Sequence, residues 1–174
     1  MAFDPSSYGP DVLAILALDG AGERLMPLVR AACSSDRARA ALKTTAARAL
    51  FPASRAPEAA LAGLYLYFSC WDEAHQIAQN IATPEGSYWH AIVHRQEPDD
   101  GNSAYWFHQV GSHPIYPSLA AVANLPRWDP VAFIERCAQA RGEPASGLEH
   151  LALEVQRAEW QLLFDFCAAK RDAA

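Results

Sequence analysis

Apolar residues recur at spacings of three and four along most of this chain, and alanine is abundant. Strand-like alternation of apolar and polar residues is almost absent. This periodicity constrains the fold more than any other feature. It predicts an all-α single domain, residues 1–174, of antiparallel helical hairpins, with a repeat-like arrangement left open. Proline and glycine mark the breaks. The predicted helices run near 11–18, 23–33, 36–50, 57–69, 72–82, 86–97, 103–110, 116–124, 130–141 and 147–170. The last has a broad apolar face built from Leu148, Leu151, Val155, Trp160, Leu163 and Phe166. Ser146 or Gly147 is expected to start it, and Lys170 and Arg171 suit its C-terminal dipole end.

A chain of 174 residues can bury about 70% of its unfolded surface as one domain. Its longest apolar run, Val12 to Leu18, is far shorter than the roughly 20 residues of a membrane helix. No basic residue precedes that run, as a signal peptide would require. The expectation is a cytoplasmic protein without membrane partners. The four cysteines, Cys33, Cys70, Cys137 and Cys167, form no CxxC pair and are expected to be reduced, buried thiols.

The net charge of −6 is unevenly spread. Between residues 24 and 55 stand seven basic residues and one acid, Asp36. No aromatic is interleaved with these bases as single-strand recognition would need. They read as a solvated helix face, and no nucleic acid partner is expected.

Five of the six histidines and three of the five tryptophans fall between residues 71 and 113. A core needs the aromatics but not the histidines. Polar groups mixed with large flat apolar ones line binding pockets. Within this region His90, His94 and Glu97 have the spacing H-x3-H-x2-E. At about 100° per residue, His94 lies about 40° from His90 and Glu97 about 20° to the other side. All three would share one helix face, with Trp89, Ile92 and Val93 on the core arc and the histidines at its margin. Two imidazoles and a carboxylate suit a divalent transition metal: zinc, iron, nickel or manganese. Asp99 and Asp100 are candidate oxygen ligands or supporting partners, and His75, His108 and His113 are candidates to approach from neighbouring helices. This is not a zincin motif, because Ala91, Ile92 and Val93 separate the histidines where that motif has a glutamate. Pro98 disfavours helical geometry at Glu97.

A metal-free ligand site is the other reading. Arg95 would clamp a carboxylate or phosphate, and Asn102, Trp106 and His108 would supply polar and stacking contacts. Nucleophilic catalysis has little support, since there is no G-x-S-x-G elbow. Gly20-Ala21-Gly22 lacks the lysine of a phosphate loop and reads as a helix terminator. His150 is expected on the solvent side of the last helix.

Two resemblances follow from these residues. Asp72, Ala74 and Pro84 recur 30 residues later as Asn102, Ala104 and Pro114. With Asp72 and Asn102 as N-caps, Trp71-Asp72-Glu73-Ala74 resembles the turn and second helix of a tetratricopeptide repeat, and Ala104-Tyr105-Trp106-Phe107 the equivalent helix of a Sel1-like repeat. That resemblance implies stacked helical hairpins with a binding surface. The stretch from Tyr88 to Asp99, with Tyr105-Trp106-Phe107 and Glu159 to Asp165, is similar to a family of small uncharacterised bacterial and fungal proteins, which implies no activity. The chain is thus expected to be a binding domain for a small molecule or protein, with its groove in residues 71–113. The alternative is a metal-dependent enzyme, a hydrolase, with His90 and His94 as ligands. Imidazole nitrogens converging within ~2.2 Å of one point would favour the alternative.

Overall fold

A computed structural model describes Phe3 and residues 8–169. Among them are ten α-helices: α1 Pro10–Leu16, α2 Asp36–Thr44, α3 Ala47–Leu50, α4 Pro57–Tyr67, α5 Trp71–Ala78, α6 Pro84–Gln96, α7 Asp100–Val110, α8 Tyr116–Val122, α9 Pro130–Gly142 and α10 Gly147–Ala168. Antiparallel neighbours pack as hairpins, α4 with α5 and α6 with α7, and α10 lies across α4, α8 and α9. This is the all-α fold expected. No helix among the described residues is long and apolar enough to cross a membrane.

The termini of the long helices follow from local chemistry. The Ser146 hydroxyl accepts from Glu149 N and starts α10, as expected. Pro84 stands at the first turn of α6, where its missing N–H is harmless, and the Thr83 hydroxyl accepts from Gly86 N. Close packing then fixes α6 against α4. A Cβ on Gly63 would come within 2.7 Å of the Trp89 ring. The carbonyl of Gly63 accepts from Trp160 Nε1 at 2.8 Å. A single small residue therefore lets α4 meet both indoles.

Several expectations are corrected. Residues 23–33 form no helix. Pro27 interrupts the segment, and its backbone is satisfied elsewhere: Arg30 N donates to Gln96 O, and Gln156 Nε2 donates to Met26 O. The helix expected over 36–50 breaks at Thr45, which is extended and directs its hydroxyl to Ala41 O. Asp72 and Asn102 are not N-caps. Cys70 precedes α5 without a side-chain cap, and Asp99 caps α7 by accepting from Asn102 N. Lys170 and Arg171 lie outside the described residues.

Cys33 and Cys70 are joined in a disulfide, contrary to the expectation of four reduced thiols. The extended 23–35 segment brings them together. Ser34 N donates to Phe68 O, which places Cys33 beside the start of α5 with Cα atoms 4.4 Å apart. Cys137 and Cys167 are free and buried.

The basic segment finds acids within the chain. Arg39 and Lys43 both reach Glu73, at 2.6 and 3.2 Å. Arg24 pairs with Asp19, Arg30 with Asp72 and Arg48 with Glu58. The pairs with Glu73 and Asp72 tie α2 and the 23–35 segment to α5.

Candidate metal centre

Helix α6 carries the site. Every residue from Gly86 to Gln96 is buried, including His90, His94, Arg95 and Gln96. A helix covered on all sides must find partners for its polar side chains. It does so in two opposite ways on adjacent residues.

On one side three imidazoles converge. His90 and His94 come from successive turns of α6 and His75 from α5. Nε2 of His90 lies 3.0 Å from Nε2 of His75 and 3.1 Å from Nε2 of His94. Two indoles bracket the group. Trp71 stacks on His75 with ring centroids 5.0 Å apart and planes within 7°. It is held by donation from its Nε1 to Val93 O at 3.1 Å. Trp106 of α7 lies against His90, centroids 4.2 Å apart. These covers bury the histidine stripe, which was expected at a groove margin: His90 and His94 are 4% and 8% exposed. His75 is half-buried.

A proton on His90 Nε2 can be aimed at only one of its two neighbours. Shared protons therefore cannot satisfy all three nitrogens at once, whereas one metal ion accepts three lone pairs together. Tetrahedral zinc with bonds of 2.0–2.1 Å separates its nitrogens by about 3.3–3.4 Å. The observed spacings are a few tenths shorter, within side-chain adjustment. The protonation state also suits a metal. Burial, then the charges of His94 and His75, lowers His90 to about 4. Burial, then His94, lowers His75 as well. Both rings are neutral near pH 7 with lone pairs free to coordinate.

Glu97 does not join the three nitrogens. It is the C-cap of α6, and its Oε2 lies 3.4 Å from Nδ1 of His94, on the opposite edge of that ring from the cluster. Asp99 Oδ2 stands 4.0 Å from the same nitrogen. Asp99 is held below the usual carboxylate range by its hydrogen bonds from the Asn102 backbone and side chain. His94, Glu97 and Asp99 form a second group of candidate ligand atoms that shares His94 with the first. Nδ1 of His94 makes no hydrogen bond to either carboxylate, so Glu97 stands close enough to support the ring by charge but does not lock its orientation. Asp100 instead pairs with Arg141 at 3.2 Å.

On the other side of α6 lies a network that the sequence reading missed. Arg95 was expected to clamp a ligand. Its guanidinium is fully buried and meets Glu159 of α10 at 2.5 Å and Gln156 at 3.4 Å. Tyr88 donates to Glu159 Oε1 at 3.0 Å, and the Arg95 guanidinium lies over the Phe133 ring at 4.7 Å. Burial opposes the charge of Arg95, but Glu159 outweighs it and the pKa is raised. Burial, then Glu159, raises the Tyr88 hydroxyl well above its ordinary value. A signal existed. Glu159 stands four residues after Val155 and four before Leu163, inside the apolar stripe of α10.

The remaining expected ligand-binding residues are dispersed. Asn102 is exposed and donates to Asp99 Oδ2 at 3.0 Å. His108 is exposed on α7, and His150 on α10 is 71% exposed, as expected. His113 is buried apart from the cluster, between Tyr88 and Phe166. Trp106 alone of the ligand-binding set touches the histidines. No family model matches the chain, and comparisons with curated proteins and with solved structures return no significant match.

Proposed function

We propose that this protein is a helical metal-binding domain that holds a divalent transition ion on Nε2 of His75, His90 and His94. The carrying observation is the convergence of three imidazole nitrogens around His90, with neighbouring separations of 3.0 and 3.1 Å. An all-nitrogen set favours zinc, nickel or cobalt over magnesium or calcium, which take oxygen ligands. Glu97 and Asp99 act behind His94 rather than on the ion.

The test uses untagged, chelator-stripped protein titrated with zinc and cobalt(II). One ion per chain should bind, and cobalt should give the intense visible bands of a tetrahedral site. His75→Gln, His90→Ala and His94→Ala should each lose that signal. His108→Ala and His150→Ala should keep it. The half-buried His75 makes His75→Gln the mildest ligand variant, so thermal melts of that variant separate lost binding from lost folding. Wild-type protein that takes up no metal, or a signal indifferent to His75 and His90, would reject the site.

A second reading adds catalysis. Three protein ligands leave one tetrahedral position for water, the ligand count of catalytic zinc sites. A metal-dependent hydrolase would cleave an activated ester when loaded with zinc and lose that activity in His90→Ala.

A further inference from the structure

His94 has a second ring nitrogen, and its surroundings differ from those of the first. Nε2 faces the other imidazoles, whereas Nδ1 faces the turn that follows α6. That turn folds back on His94, whose carbonyl accepts from Glu97 N at 3.1 Å and from Asp99 N at 3.0 Å. Two carboxylates are thereby set over one ring edge. Glu97 Oε2 is 3.4 Å from Nδ1, and Asp99 Oδ2 is 4.0 Å from it.

Nδ1 is itself buried, on a residue 8% exposed, and has no hydrogen-bond partner among the described residues. A buried polar atom is almost always partnered, and this one stands unpartnered beside two anions. The carboxylates are open to water, with side chains 40% and 45% exposed. Asp99 is held as an anion: Asn102 N donates to its Oδ1 at 3.1 Å and Asn102 Nδ2 to its Oδ2 at 3.0 Å, and these bonds keep it below the usual carboxylate range. Each of its oxygens accepts only one of those bonds and retains a lone pair.

The spacing suits an ion. One ligand atom from each of His94, Glu97 and Asp99 lies within 4.8 Å of the other two. A point equidistant from three atoms so spaced is about 2.0–2.4 Å from each, and zinc bonds imidazole nitrogen and carboxylate oxygen at about 2.0–2.2 Å. A proton on Nδ1 answers the charge of one carboxylate at most, whereas a divalent ion answers both.

Resting on the reading that Nε2 of this ring holds the first ion, we infer that a second divalent ion binds His94 Nδ1, Glu97 Oε2 and Asp99 Oδ2, so that the His94 ring joins two ions. As the second ion binds, the ring releases its remaining N–H proton to solvent and becomes a bridging imidazolate. The ions then stand about 6 Å apart, the width of the ring plus two bonds. The two positions differ in kind. The inner one is buried and all-nitrogen. The outer one has one nitrogen, two anionic oxygens and water on its exposed side. Zinc and copper(II) accept such a mixed set, while magnesium and calcium favour oxygen alone. The outer ion shares its imidazole and is open to solvent, so it binds more weakly, after the single tight ion.

Equilibrium dialysis of the untagged, chelator-stripped full chain against zinc counts both ions. Wild type should hold one zinc per chain at low zinc and a second in excess. Asp99→Asn should stop at one, and it should fold normally because asparagine caps a helix as well as aspartate does. Glu97→Gln, on an exposed side chain, should also stop at one. Asp100→Asn, whose carboxylate pairs with Arg141, should keep two. In protein holding two copper(II) ions the shared ring couples their spins, so the low-temperature paramagnetic resonance intensity per copper should fall as the second equivalent is added. Full intensity from both ions would overturn the bridge. A second zinc indifferent to Asp99→Asn and Glu97→Gln would be held elsewhere and would overturn the site. A single zinc in wild type, lost in His90→Ala, would overturn the outer site and leave the inner one standing. A single zinc that survives His90→Ala and is lost in Asp99→Asn would overturn the inner site, and the joined pair with it.

Discussion

His94 and Arg95 are neighbours on α6, and they enter two buried polar clusters of opposite design. The Arg95 cluster is balanced in charge, and Arg95 Nε is the atom it leaves without a partner among the described residues. One cation meets one carboxylate, and Tyr88, Gln156 and the Phe133 ring occupy much of the remaining capacity. The His94 cluster is not balanced. Its three nitrogens face one another, its counter-charges stand behind one ring, and His90 Nδ1 has no partner among the described residues. A charge-balanced network holds helices together, whereas an unbalanced one of metal ligands is suited to receive a cation. Burial separates them only in part: Arg95 and Glu159 are sealed and His90 and His94 nearly so, while His75 is half-buried. Charge balance does separate them.

The largest expected effect falls on the charge-balanced cluster. Glu159→Ala would leave the Arg95 charge buried and unpaired, at a cost of about 3–5 kcal/mol. Replacing both residues by methionine should recover much of that loss, because the pair's own desolvation penalty also disappears. Urea denaturation of the two variants measures this. A mild single variant would show that water reaches Arg95 and that the two clusters differ little in how tightly they hold their charges.

Next is the disulfide that fixes the start of α5, immediately before Trp71 and four residues after which His75 follows. Cys33 and Cys70 are 37 residues apart, and closing a loop of that length stabilises by about 3–4 kcal/mol in the chain-entropy model. Reduction, or Cys33→Ser, should lower the denaturation midpoint accordingly. It should also weaken metal binding, while the Arg95 cluster on the far side of α6 keeps its contribution. Equal stability with and without reductant would refute the cross-link's role.

Acid sharpens the comparison. An unfolded histidine takes up its proton near pH 6.5, whereas folded His90 resists until about 4. The unfolded chain therefore binds more protons between those values, and stability rises with pH across that window. The native state has its full stability above about 6.5 and loses up to about 1.4 kcal/mol per pH unit per such histidine below it. His75 and His113, both lowered chiefly by burial, act in the same direction. Urea midpoints at pH 7, 6 and 5 test this. Zinc at about 100 times its Kd should add about 2.7 kcal/mol at pH 7 and progressively less toward pH 5. A flat pH profile would mean that the rings are solvated.

How far the sequence revealed these features depended on the range of the interaction. Helix content was legible because periodicity and caps such as Ser146 act within a few residues. The face shared by His90 and His94 was legible for the same reason. The third histidine was not, because His75 reaches His90 only through the packing of α5 against α6. Arg95 was misread for a related reason. Its nearest acids in sequence are Glu97 and Asp99, yet its partner is Glu159, 64 residues away. The 23–33 segment has helical composition, but its backbone bonds run to α6 and α10, which no local pattern encodes.

The smallest expected effect distinguishes ligand from support at His94. If Glu97 supports the ring from behind by its charge, Glu97→Gln keeps a polar group beside Nδ1 but removes that charge. Stability should change by under about 1 kcal/mol, since the carboxylate is partly exposed and exposed pairs contribute little. Zinc affinity should fall by about tenfold, the lower end of what supporting carboxylates contribute. Loss of a direct ligand, as in His90→Ala, should reduce it far more and abolish the tetrahedral cobalt spectrum. The spectrum is therefore the deciding readout. Unchanged band positions with weaker binding place Glu97 behind the ring, where its Oε2 stands 3.4 Å from Nδ1. Bands shifted toward a new ligand set would make Glu97 itself a ligand, and His75 would then be the residue whose removal the site tolerates.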